Sequence, residues 1–137
     1  MQLKIDSFTT ASQAFSALVA LDLTRLGDTV NTPILIDGIR NGRAQKLELT
    51  AELCWKAMKA VLKQRDGIDE ASPKAVVKAF FIANYINELQ YLGVLQAIDD
   101  RNQLSHVYDE PVFESILARL PAHATLFKEI SDIFTSF

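Results

Sequence analysis

The chain has 137 residues, a length that fits one compact domain. Hydrophobic residues make up 49% and charged residues 23%, an ordinary globular balance, and 5 Gly with 4 Pro are too few for an all-β chain built on many tight turns. The formal net charge of -3 argues against the whole molecule attracting nucleic acid, so any such site must be local.

Cys54 is the single cysteine, which leaves no disulfide framework and no thiolate metal site. Its apolar helical neighbours mark it as a small core residue. No apolar run approaches the ~20 residues that span a bilayer, and Met1–Asp6 lacks the build of a signal peptide. A cytoplasmic protein with no membrane contact is expected, and nothing in the sequence calls for a cofactor.

In chain order, a first helix is predicted from Ser7 to about Leu26, capped by Asp6 or Ser7, with Phe8, Ala11, Phe15 and Leu18 on one stripe and Gly27 as its stop. Residues 28–42 read ambiguously: Thr32-Pro33 could open a helix, but Gly38 and Gly42 weaken it. A second helix is expected from about Arg43 to Gln64. Leu47, Ala51, Cys54, Met58 and Val61 follow helical spacing on one flank, and Leu49, Leu53, Ala57 and Ala60 on another. Two apolar flanks imply a central helix or one at a dimer interface.

Ser72-Pro73 is a helix start, with Ser as cap and Pro in the first turn; the third helix should end near Asn84. Asn87 caps a fourth, from about Glu88 to Val107. Asp109-Glu110-Pro111 opens a fifth, where acidic residues suit the positive end of the helix dipole. Pro121 should kink or split it, and His123, just beyond, is expected to be exposed. No segment alternates with period two. The fold class is therefore all-α, an up-and-down bundle of four to five helices forming a single domain, 1–137.

The fourth helix carries the most informative change of character. Its apolar stripe of Tyr91, Val94, Leu95 and Ile98 continues into Arg101, Asn102 and Ser105, with His106 on the border. A core-facing stripe that turns polar must satisfy those groups or use them. A guanidinium can clamp a phosphate oxygen with paired donors, and an imidazole can take a proton from a ribose 2′-hydroxyl near neutral pH. Arg101 and His106 lie about 140° apart around an α-helix at ~100° per residue, so the Arg must curl round or a second subunit must bring its own copy. Without further context, such a cluster is more often a satisfied polar patch or a solvated last turn. Lys56, Lys59 and Lys63 could guide an RNA backbone, although Glu52 one turn before Lys56 favours a salt-bridged face. Glu48 and Glu52, one turn apart, lack the His or Asp companions of a metal site.

Longer blocks give these residues a context. Ile39-Arg40-Asn41-Gly42, Leu47-Glu48-Leu49-Thr50-Ala51-Glu52-Leu53-Cys54-Trp55-Lys56, Ser72-Pro73-Lys74, and Asp100-Arg101-Asn102 with Ser105-His106-Val107-Tyr108-Asp109-Glu110 occur in the order and spacing of one family. The chain resembles, from about Phe8 to Phe134, the nucleotidyltransferase substrate-binding branch of the HEPN superfamily. Leu47, Leu49 and Ala51 stand where that family has aromatics. The resemblance implies a helical-bundle homodimer paired with a minimal nucleotidyltransferase as toxin and antitoxin. It implies a metal-independent ribonuclease acting on RNA through Arg101 and His106, supported by Asn102, between protomers. It also implies adenylylation of Tyr108 by the partner enzyme as the means of silencing. The alternative is a non-catalytic substrate-binding subunit of a two-component nucleotidyltransferase.

Overall fold

The computed structural model describes residues 1–106 and 109–137, and among these there are five α-helices and no strand. They are α1 (Gln2–Ala20), α2 (Thr32–Val61), α3 (Pro73–Ile82), α4 (Glu88–Leu104) and α5 (Glu110–Phe134). A short 3₁₀ turn, Leu23–Arg25, follows α1, and a π turn, Leu62–Asp66, continues α2. Helix α2 packs against each of the other four helices, so the central-helix reading of its two apolar flanks holds. Leu47, Ala51, Cys54, Ala57, Met58 and Val61 are buried, whereas Leu49 faces outward.

Local chemistry sets most of the boundaries. Ser72 accepts the Ala75 amide at the start of α3. Asn87 and Gln90 form a reciprocal capping box at α4, with bonds of 2.8 and 3.0 Å. Asp109 accepts the Val112 amide at α5. Gly67 closes the π turn at φ 66°, a left-handed conformation that costs a residue with a side chain but not glycine.

Three sequence expectations need correction. Helix α1 begins at Gln2 and ends at Ala20, earlier at both ends than predicted. The ambiguous stretch is mostly helix: α2 starts at Thr32 and runs through Gly38 and Gly42. Arg43 explains part of this, because its guanidinium donates to the carbonyls of Leu18, Val19 and Leu21. It thereby serves the unpaired end of α1 and ties that end to the body of α2. Helix α5 is continuous through Pro121, so the proline does not split it. The ring removes one backbone bond, at a cost of about 3 kcal/mol. Buried Leu120, Ala124 and Phe127 on either side hold the helix together across it.

The core is aromatic at its centre. Phe8 meets Phe127 and Phe134 edge-on at 6.0 and 5.6 Å between ring centroids, and Phe15 and Phe80 extend the cluster. Each such ring contributes roughly 2–3 kcal/mol by leaving water. This joins α1 to α5, while α4 reaches α5 by a closer approach at Gly93. A Cβ there would lie 2.8 Å from Leu126 Cδ2. Helix α4 packs against both α2 and α5.

Candidate functional site

Arg101 and Asn102 stand on the last turn of α4, and His106 on the turn that follows, where its amide donates to the Gln103 carbonyl at 2.9 Å. The apolar stripe continues through Val94, Ala97 and Ile98 into Asp100 and partly buried Arg101, whereas Asn102 and His106 are exposed. The switch of character read from the sequence is therefore real, but the residue it buries most deeply is Asp100.

Asp100 is 1% exposed and is fully engaged. Arg119 of α5 donates to it through Nε at 2.9 Å and Nη2 at 2.7 Å. His123 Nε2 lies 2.8 Å away and Gln96 donates at 3.0 Å. Burial pushes the Asp100 pKa up, but the bonds from His123, Arg119 and Gln96, with the Arg119 charge, outweigh it and hold the carboxyl at about 2. A carboxylate has no hydrogen to give, so His123 Nε2 carries the proton and donates it.

His123 is accordingly buried, at 4% exposure, and not exposed as predicted. The signal was present. His123 lies three residues after Leu120 and four before Phe127, on the stripe that α5 buries.

Arg101 is held differently. Nη2 stands 3.4 Å from Glu52 of α2, Nη1 donates to Asn102 at 3.3 Å, and Nε is buried without a partner. Glu52 also receives Lys56 Nζ at 3.1 Å and the Trp55 indole at 3.0 Å. Burial raises its pKa, but the bonds from Trp55 and Lys56 and the charges of Lys56 and Arg101 bring it below the ordinary value. The salt-bridged reading of Glu52 and Lys56 is thus correct. Glu48 instead lines a cleft of about 390 Å³ with Asp37, Arg40, Asp109 and Glu110.

His106 opens onto an exposed groove of about 600 Å³ shared with Gln96, Asp99, Asn102 and Gln103. No hydrogen bond joins it to Arg101 within the chain. Asn102 connects the two, bonded to the guanidinium and lining the groove. Tyr108, singled out as a modification target, lies outside the described residues, as does Val107. Cys54 is fully buried, and its thiol is pushed far up by that burial, which suits a core residue and not a nucleophile. No helix among the described residues is long and apolar enough to cross a membrane.

Comparison with known proteins agrees with this architecture. A protein from Thermus thermophilus is similar at 27% identity with a TM-score of 0.74, over 90% of this chain and 94% of that one. The tri-AMPylated Shewanella oneidensis HEPN toxin, solved in complex with MNT antitoxin, is similar at 14% identity and TM-score 0.74, over 98% and 95% of the two chains. A mutant of the toxin–antitoxin MntA–HpeT gives 13% identity and TM-score 0.76, again over 98% and 95%. Comparison with curated proteins gave no match. The family described as nucleotidyltransferase substrate binding protein like matches residues 3–135, nearly the whole chain. With its five-helix HEPN fold, the chain belongs to that family.

Proposed function

We propose that the protein is a HEPN-type, metal-independent endoribonuclease toxin that acts as a homodimer and is restrained by a partner minimal nucleotidyltransferase. The observation that carries this reading is the contrast between two neighbouring cation sites. Arg119 makes bonds of 2.7 and 2.9 Å to one carboxylate and is spent on structure. Arg101 makes only long contacts of 3.3 and 3.4 Å and keeps a donor unused. A guanidinium so weakly committed, bonded to an amide that shares a groove with an exposed imidazole, can exchange its contacts for a phosphate.

In the reaction, Arg101 holds a non-bridging phosphate oxygen and Asn102 positions the strand. His106 takes the proton of a ribose 2′-hydroxyl as that oxygen attacks phosphorus. The bond to the 5′-oxygen breaks, and that oxygen takes a proton from a second acid, the imidazolium of the other protomer. Symmetric pairing places two copies of each group in one cleft, which answers the separation of Arg101 and His106 within a single chain. The similar Shewanella toxin is described as tri-AMPylated and bound to MNT antitoxin. By this reading Tyr108 takes the same modification, and an anionic nucleotide there repels RNA.

The test is cleavage of a labelled RNA by the dimer in excess chelator, with end-group analysis. The reading expects cleavage that ignores the chelator and leaves a 2′,3′-cyclic phosphate and a 5′-hydroxyl. Absence of cleavage by unmodified dimer opposes it.

The family's description favours a second reading, a substrate-binding subunit without chemistry of its own. Intact mass after incubation with a partner nucleotidyltransferase and ATP separates the two. An AMP adduct confined to Tyr108 supports a regulated toxin, and transfer to an added small molecule supports the subunit.

A further inference from the structure

Along α2 past Glu52, a groove of about 330 Å³ is lined by Lys4, Trp55, Lys56, Lys59, Ala60 and Lys63. Four ammonium groups surround an indole and a small apolar floor, and no carboxylate is in the lining. Two of the lysines are held in place from outside it, Lys56 by Glu52 at 3.1 Å and Lys59 by Asp69 at 3.2 Å. Lys4 and Lys63 are exposed and make no ion pair among the described residues. The four lysines against Glu52 and Asp69 leave a local charge of +2 in a chain whose total is -3. The remainder of the protein therefore sums to -5, so the groove is a basic site on an acidic molecule.

We propose that this groove binds the sugar-phosphate backbone of single-stranded RNA and feeds the strand to Arg101. The inference rests on the ribonuclease reading above and adds to it a substrate-binding surface outside the Arg101–His106 centre. Three features favour RNA as the occupant. First, the charge of the lining, four lysines and no carboxylate, is complementary to a polyanion. Second, Lys63 stands seven residues beyond Lys56 along a helix and its terminal turn, about 10 Å at ~1.5 Å per residue, long enough for more than one phosphate. Third, half-buried Trp55 presents part of an indole among the lysines, the pairing of aromatic surface with cations that holds unpaired bases. Glu52 joins the groove to the catalytic candidate, because the same carboxylate receives Trp55, Lys56 and Arg101.

Trp55 is the only tryptophan, so its fluorescence reports directly on the groove. The experiment titrates the full-length protein with a 2′-O-methyl 12-mer, which cannot be cleaved through the 2′-oxygen, at several salt concentrations. Wild type and His106→Ala are compared with the double variant Lys4→Gln/Lys63→Gln. Cleavage of the unmodified 12-mer is measured in parallel. The inference expects saturable quenching of Trp55 in wild type and His106→Ala alike. In the double variant the slope of log K against log salt should shrink by about 0.7 for each lysine removed, or roughly 1.4 in all.

Equal affinity and slope in wild type and double variant would overturn the inference, and would leave the ribonuclease reading standing if the unmodified RNA is still cut. Lysine-dependent binding without any cleavage supports the groove and counts against the ribonuclease. Unchanged RNA binding together with lost self-association of the double variant, read by sedimentation, would overturn the inference in favour of a second copy's acidic face as occupant.

Discussion

Asp100 and Arg119 face each other between α4 and α5 through two parallel hydrogen bonds of 2.7 and 2.9 Å, one residue away from the loosely held Arg101. The carboxylate is out of water while the guanidinium is 38% exposed on its side chain, so the pair is anchored at one end and solvated at the other. That asymmetry makes Asp100 the more costly partner to lose, because its removal strands both Arg119 and buried His123. The pair fixes the end of α4 and hence the direction in which Arg101 and Asn102 leave the bundle.

Replacement of Asp100 by Ala should destabilise the fold by about 3 kcal/mol, the range for removing one partner of a buried, hydrogen-bonded ion pair. Urea unfolding would show this as a lower midpoint with an unchanged slope. A loss below about 0.5 kcal/mol, the level of ordinary surface changes, would mean the network adds nothing beyond packing.

The same carboxylate gives stability a definite pH dependence. Its folded pKa, about 2, is below the ordinary 3.8. The stabilisation is therefore complete above pH ~4 and lost as pH falls through about 2, a total of roughly 2 kcal/mol. Other carboxylates titrate in the same window, so the informative quantity is the difference between wild type and Asp100→Asn. Unfolding free energies of the two should converge between pH 4 and 2; parallel curves would contradict the assignment.

The close approach of α4 to α5 sets a third expectation. Gly93→Ala places a methyl group 2.8 Å from Leu126 Cδ2, the movable end of a side chain. Alanine also favours the helix by about 1 kcal/mol over glycine. The two effects should nearly cancel, leaving stability within about 1 kcal/mol of wild type. Gly93→Val adds branches that one Leu rotation cannot clear and should cost about 1–3 kcal/mol. Thermal melts of the two variants decide it, and equal melting temperatures would show that the helices part without strain.

How far the sequence reveals this molecule depends on the range of the interaction. Ser72-Pro73, Asn87 and Asp109-Glu110-Pro111 act on amides three residues away, and each starts the helix expected of it. The stretch from Thr32 to Gly42 is poor in local helix preference. It is helical where Arg43 reaches across to the carbonyls ending α1, and where a Cβ at Gly42 would lie only 3.6 Å from Leu18 Cδ2. Asp100 carries little local signal: apart from Gln96, four residues before it, its partners lie 19 and 23 residues further on. His123 looks exposed only if Pro121 is taken as a break; its spacing from Leu120 and Phe127 already places it on the buried stripe. Arg101, Asn102 and His106 stand out because polar groups follow an apolar stripe. The separation of Arg101 and His106 within one chain follows from helix geometry alone.

The most direct test of the functional account is the rate of RNA cleavage by His106→Ala against wild type, each first shown to be folded and dimeric. His106 is exposed on a terminal turn, so its replacement should leave stability within about 0.5 kcal/mol. The account predicts that cleavage falls by about 100- to 10,000-fold, the range for loss of a general acid–base. A folded variant that cuts RNA at the wild-type rate would contradict it.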